Sequence, residues 1–198
     1  MSDDGPPATD APALAAYGRA LRLLGELLDG PPPVEQMLHD LLAVALAATP
    51  GLAAATVTMI SEEGDLVTAA TTDDAARTVD QLEYELEQGP CVTALRTGEE
   101  QLVDDVHTDP RWPDFNRRAA ELGFATVGGL PLIANGETLG ALNVFGAHPS
   151  DLDEAVLATL RRLLPPLATS LARARAHRRY QRLLGEVVPT HGAPSAGE

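Results

Sequence analysis

The chain has no lysine: all fourteen of its positive charges are arginine. That excludes any chemistry in which the protein supplies a Schiff-base or activated amine. A single cysteine, Cys91, stands among the 198 residues. No disulfide can therefore close within the chain, and no Cys-x-x-Cys or Cys/His cluster is present to hold a structural zinc. Long apolar runs are missing as well. The best, at 41–48, is too short to span a bilayer, and the start, MSDDGPPATDAPA, is acidic and has no apolar signal core. The expectation is a cytoplasmic protein with no membrane contact. Basic charge is scarce overall, leaving a net charge of −15, which repels phosphate backbones and argues against nucleic-acid binding by the surface as a whole. No Ser-His-Asp motif, phosphate-binding glycine loop or His-Glu-x-x-His is present, so nothing marks the chain as a hydrolase, a nucleotide-dependent enzyme or a zinc protease. His107 lies in a loop and the other four histidines are scattered; none suggests a metal.

Aromatic residues are also few, at 4 %, but they are not spread evenly. Tyr84, Trp112, Phe115, Phe124 and Phe145 are five of the seven, and all fall in one stretch. Around it the chain punctuates itself clearly. Residues 1–12, rich in Pro, Asp and Ala, read as a disordered tail. Residues 13–29 place Leu14, Tyr17, Leu21, Leu24 and Leu28 on one helical stripe, which Pro31-Pro32-Pro33 ends. Residues 34–48 repeat the pattern with Val34, Met37, Leu38, Leu41, Leu42 and Ala45, and Pro50-Gly51 closes that helix. Residues 54–60 and 65–71 alternate around Glu62-Glu63-Gly64 and read as a hairpin. Asp73-Asp74 caps a helix over 75–82. Gly89-Pro90-Cys91 opens a further small helix. A short strand is expected over 101–106 and a helix over 114–122. Asn135-Gly136 joins apolar runs at 125–134 and 137–146, and Asn-Gly favours the two-residue hairpin turn in which both central residues take φ > 0. Two helices, 151–163 and 166–185, close the series, separated by Pro165-Pro166, where a kink or break is expected.

The Leu130-Pro131-Leu132 run, the Asn-Gly hairpin and the Leu139–Asn143 segment together resemble the second half of a GAF domain. The Gly-Pro-Cys turn at 89–91 and Asp109-Pro110-Arg111-Trp112 are similar to the actinobacterial type that is often joined to an RNA-binding ANTAR domain. The resemblance spans roughly 34–175, with 13–33 as a helix and proline linker before it and 176–198 as helix end and tail after it. It implies an α+β fold: a central antiparallel sheet of five to six strands, terminal helices on one face and ligand-pocket loops on the other. The ANTAR bundle needs some fifty residues beyond the last helix, and about a dozen follow. The expectation is a chain that lacks that output domain.

The resemblance also implies a role as a sensor of an unknown small molecule rather than as an enzyme, with no resident cofactor and no metal. The expected ligand-binding residues are Tyr84, Cys91, Trp112, Phe115, Phe124, Val127 and Asn143. Phe124, Phe145 and Trp112 equally suit ordinary core and loop-anchor roles. Three specific GAF chemistries fit poorly. The cyclic-nucleotide motif has only an imperfect echo in Asn143, Phe145, Asp153 and Glu154, without its lysine. The free methionine sulfoxide reductases recycle through a disulfide that one cysteine cannot form. A bilin-attaching cysteine commonly precedes histidine, but Val92 follows Cys91.

Cys91 itself has two readings: a thiol activated at a helix N-terminus for redox sensing or catalysis, or a small buried residue packed on the sheet. Glu85 and Glu87, close in sequence, would oppose its ionisation. Gly128 and Gly129 mark a bulge or a close approach to a ligand. At the C-terminal end, residues 161–185 hold seven arginines and no acid. Leu157, Leu160, Leu164, Leu167, Leu171 and Ala174 recur at the spacing of a coiled-coil seam, which points to a homodimer, with an unknown regulatory protein as its partner.

Overall fold

The computed structural model describes residues 34–61 and 63–187. The expected N-terminal tail and the helix over 13–29 lie outside the described residues, as does the tail after 187. The order is α1 (Val34–Ala48), β1 (Ala54–Ile60), β2 (Leu66–Thr71), α2 (Asp74–Leu86), α3 (Pro90–Thr97), β3 (Gln101–Val103), α4 (Pro113–Glu121), β4 (Thr126–Ala134), β5 (Glu137–Gly146) and α5 (Glu154–Val187). The five strands form one antiparallel sheet in the order β2-β1-β5-β4-β3. The α+β architecture is the one expected. Asn135 and Gly136 turn β4 into β5 with φ of 54° and 78°, as the dipeptide requires.

Side chains alternate across a strand, so each strand feeds both faces of the sheet. Val57, Leu130, Leu132, Leu142 and Val144 are fully buried on one face. Helix α5 packs there, against β4 and β5. Its Leu157, Leu160, Leu167 and Leu171 are buried, and Leu171 reaches close to Gly140 on β5. The second face carries Thr56 and Thr58 of β1, Thr68 of β2, Val127 and Gly129 of β4, and Asn143 and Phe145 of β5. The segment 72–125 crosses this face, and its loops carry α2, α3 and α4.

Beyond shifts of one to three residues at element starts, among them α5 beginning at Glu154 and not at 151, three features differ from the sequence reading. The strand expected over 101–106 ends at Val103. Helix α2 runs four residues beyond the expected 82, to Leu86. It starts where expected, with Asp73 Oδ1 accepting from the N–H groups of Ala75 and Ala76. Its buried stripe is Ala76, Val79, Asp80 and Glu83, and half of that stripe is acidic, so apolar periodicity under-reads the helix. The third difference is a correction: Pro165 and Pro166 do not end a helix but lie inside α5. Both prolines are exposed, so the carbonyls of Arg161 and Arg162 that lose an N–H partner sit on the exposed side of the helix. Leu160 before the pair and Leu167 after it are buried and hold both halves on the sheet.

The seam read as a dimer contact is likewise used within the chain: from Leu157 to Leu171 it faces the chain's own sheet, with Leu164 half-buried. Gly129 has an equally definite explanation, with no bulge at the position. A Cβ there would lie 2.7 Å from the carbonyl carbon of Pro90 and 2.8 Å from the nitrogen of Cys91, so the close approach is by α3. Gly129→Ala should therefore destabilise the fold by about 1–3 kcal/mol. Gly51→Ala, whose Cβ would make ordinary contact at 3.8 Å, should change it by less than about 0.5 kcal/mol. Urea unfolding of the two variants checks the contrast.

Candidate functional site

The seven residues expected to bind a ligand all lie on or above the second face of the sheet, in two groups. Phe115 and Val127 are fully buried and Phe124 nearly so, in an apolar cluster with Val79, Val103, Val106 and Phe145. Phe124 and Phe145 meet at a centroid distance of 5.0 Å. Trp112 packs partly buried at its edge, with the guanidinium of Arg111 4.6 Å above its ring. Arg111 in turn is clamped by Asp109 and donates to the carbonyl of Leu102, which fixes the loop ahead of α4. The strand register then leads from apolar to polar: Val127 pairs with Phe145, and one step along the same face Gly129 pairs with Asn143, which pairs with Thr56 on its other side.

Tyr84, Cys91 and Asn143 form the second group, and two residues the sequence reading missed, Asp80 and Glu83, complete it. The Asn143 amide donates through Nδ2 to Asp80 Oδ1 at 2.9 Å, with Thr58 Oγ1 at 2.9 Å and Thr56 Oγ1 at 3.1 Å. Turned the other way, the amide would set its carbonyl against a carboxylate. Thr68 donates to Asp80 Oδ2 at 2.9 Å. Its proton is thereby used, so the 3.0 Å contact between Thr68 and Tyr84 requires the Tyr84 hydroxyl to donate. The 2.7 Å contact between Tyr84 and Thr58 then requires Thr58 to donate. That leaves Thr58 to accept from the Cys91 thiol, 3.4 Å away. With Asp80 ionised, one proton order satisfies the row Cys91, Thr58, Tyr84, Thr68, Asp80.

Two buried acceptors stand outside that order: Glu83 Oε1 and Asn143 Oδ1 have no hydrogen-bond partner. Glu83 is fully buried; its Oε2 accepts from the N–H of Val92 at 3.2 Å, at the first turn of α3. Gly89 covers the same carboxyl, and a Cβ at Gly89 would lie 2.5 Å from Oε2. Among the described residues neither Asp80 nor Glu83 has an ion-pair partner. Burial pushes the Asp80 carboxyl up from 3.8 to about 6, against the opposing pull of its hydrogen bonds and of Arg77. Burial, then the charge of Asp80, pushes Glu83 well above the usual carboxylate range.

The same causes decide between the readings of Cys91. It is fully buried, and burial with the charges of Glu83 and Asp80 raises its thiol well above the ordinary value. The helix N-terminus does not activate it. The acids that oppose its ionisation are Glu83 and Asp80, whereas Glu85 and Glu87 are exposed. His107 is exposed too, in an open groove of about 550 Å³ beside α4 that includes Asn116 and Arg117. Among the described residues no group of three or more His, Cys, Asp or Glu is placed to hold a metal ion, and no helix is long and apolar enough to cross a membrane.

The raised carboxyls set a pH dependence opposite to ordinary acid denaturation. Each holds its proton more tightly in the folded chain than in the unfolded one. Its contribution is complete below the unfolded value and is lost as pH rises through the folded value. For Asp80, the rise from 3.8 to about 6 corresponds to roughly 3 kcal/mol. Unfolding free energy from urea titrations should fall between pH 4 and pH 8. Glu83→Gln, which keeps the shape and removes one titration, should leave the value at pH 4 nearly unchanged and reduce the fall. A stability that rises steadily with pH over this window would contradict the assignment.

Residues 32–172 match the family model of the GAF domain. Solved structures agree in fold. The GAF domain region of a Geobacter sulfurreducens PCA membrane protein superposes with a TM-score of 0.60 at 21 % identity, covering 76 % of this chain and 98 % of that one. A domain of a two-component sensor histidine kinase from Sinorhizobium meliloti 1021 gives 0.61 at 16 % identity, covering 74 % and 96 %. The free methionine-R-sulfoxide reductase of Neisseria meningitidis, solved with its substrate, gives 0.55 at 21 % identity, covering 86 % and 95 %. No curated protein matches the chain. With a family match over most of its length, the chain belongs to the GAF domain family.

Proposed function

We propose that this GAF domain is a small-molecule sensor without catalytic activity of its own, reporting its state through a helical homodimer to a regulatory partner protein. One observation carries the reading: a buried polar cluster on the inner sheet face, with two oxygens left without donors. A domain that needed only stability would fill that face with apolar side chains. Such replacement of buried ionic groups is often neutral or stabilising by roughly 1–4 kcal/mol. Buried polar groups that cost stability are the usual signature of a site.

In this reading Tyr84, Cys91 and Asn143, with Asp80 and Glu83, are the polar side of the ligand site. Val127, Phe115, Phe124 and Trp112 are its apolar wall. The loop 104–116 follows the ligand, and α5, anchored on β4 and β5 as far as Leu171, carries the change outward. The turns after Leu171 are the segment offered to a second copy. A population shift between two dimer arrangements is the output.

A thiol-based enzyme or redox sensor built on Cys91 is the competing class. A buried thiol with a raised pKa supports the sensor reading, because the thiolate is the reactive form. Iodoacetamide at pH 7.5 should alkylate Cys91 at least about a hundredfold more slowly than a free cysteine, with the free rate recovered in urea. Fast alkylation of the native protein would favour the thiol reading. Native mass spectrometry of protein purified from its own host should show a non-covalent adduct that is lost on denaturation, and light scattering should give the mass of a dimer.

A further inference from the structure

Resting on the sensory reading of the same cluster, we infer that its ligand is a primary amine. The ammonium group is received between Glu83 and Asn143, and the aliphatic body lies along Val127 and Phe145. The first reason is the count of donors. With both carboxyls ionised, the protons of Cys91, Thr58, Tyr84 and Thr68 are all used, and the cluster oxygens without a donor are Glu83 Oε1 and Asn143 Oδ1. Both residues are fully buried, and Asn143 stands outside the acidic pair, so the deficit does not rest on that pair alone. A ligand that completes the site brings donors and needs no acceptor. Acids, phosphates and sulfates have this the wrong way round; an ammonium offers three donors and no acceptor.

The second reason is charge. Two carboxyls lie one helical turn apart on α2, and among the described residues neither has an ion-pair partner. Of the charges that act on them, Arg77 is the one cation; it acts on Asp80, and its Nη1 lies 3.5 Å from the Thr68 carbonyl. None acts on Glu83, which faces Asp80, Gly89 and the backbone N–H groups of Cys91 and Val92. Buried charge is stable only when paired, and in this chain the missing pair comes from outside. Glu83 resolves the deficit in the free protein by keeping its proton. When R–NH₃⁺ binds, that proton leaves to bulk solvent and a carboxylate–ammonium pair replaces the neutral carboxyl, with no redox change and no covalent bond.

The third reason is the surroundings. Along β5 the polar position Asn143 is followed on the same face by Phe145, and along β4 Gly129 is preceded by Val127. An aliphatic chain attached to the ammonium thus has an apolar surface beside it. The turn over Glu83 covers the carboxyl with backbone: Glu87 and Gly89 both take positive φ, 51° and 126°, and a Cβ at Gly89 would lie 2.5 Å from Glu83 Oε2.

Three probes of one shape separate the possibilities: butylammonium, 1-butanol and butyrate, titrated into the full chain by calorimetry at pH 7 in phosphate and in Tris. Butylammonium should bind at least tenfold more tightly than either isostere, and its heat should differ between the buffers because a proton is released. Glu83→Gln should lose that tenfold preference and the buffer dependence, while its circular dichroism and its melting at pH 5 match the wild type. Asp80→Asn serves as a second, independent variant and should weaken the preference in the same direction. Equal binding of 1-butanol, or tighter binding of butyrate, overturns the amine assignment and leaves the sensory reading standing. If none of the three binds but host extract yields a tightly held acid or neutral molecule, the amine assignment fails alone. If nothing from probes or host extract binds, both fail together.

Discussion

Two carboxyls taken out of water on one turn of a helix are the constraint around which this domain is arranged. Asp80 and Glu83 point from α2 at the sheet, where an apolar pair would be the less costly choice. Everything nearby responds to them. Asn143 turns its amide nitrogen to Asp80, Thr68 donates its hydroxyl, and the Val92 N–H at the start of α3 points at Glu83. The order of protons through Tyr84, Thr58 and Cys91 follows once Thr68 is fixed as a donor to Asp80. Even two glycines belong to this arrangement: Gly89 lets the chain pass over the Glu83 carboxyl, and Gly129 lets α3 come down onto β4.

The two faces of the sheet thereby divide the labour. The face under α5 is mainly apolar and holds the fold, with Leu157, Leu160, Leu167 and Leu171 of α5 buried where the helix packs on β4 and β5. The inner face is apolar only at one end, where Phe115, Phe124, Val127 and Phe145 cluster; the other end carries the acids and their partners. A face that is half apolar and half carboxyl, with no ion-pair partner for those carboxyls among the described residues, is poorly suited to stability alone. The long helix on the opposite face follows β5 after the loop 147–153 and packs back against β4 and β5.

Much of this was legible in the sequence. Asn135-Gly136 fixed the hairpin, Asp73 the start of α2, and the Gly-Pro-Cys turn the start of α3. The fold class and Asn143, Tyr84 and Cys91 as neighbours on one face came from the family resemblance. The acids did not. A pattern search reads Asp80 and Glu83 as the wet side of an amphipathic helix, because it has no means to see a carboxyl buried on purpose. The one available signal was positional: Asp80 and Glu83 continue the i, i+3, i+4, i+7 stripe begun by Ala76 and Val79. The proline pair failed for the converse reason. Local chemistry predicts a break at Pro165-Pro166, but leucines on both sides bury against the sheet, and tertiary packing overrides the local preference. The leucine seam of α5 reads as a buried stripe, and from Leu157 to Leu171 it is buried on the chain's own sheet; spacing alone cannot tell a second helix from that sheet.

Asp80 and Glu83 are buried, coupled and without an ion-pair partner among the described residues, and their protons can be followed atom by atom. Side-chain carboxyl carbons, labelled with ¹³C and followed by NMR from pH 3 to pH 9, report each proton directly. The account predicts that Asp80 titrates near pH 6, with Glu83 still protonated well above the usual carboxylate range. If both titrate with the exposed acids, between about pH 4 and pH 4.5, the carboxyls are solvated or paired, and the site described here does not exist.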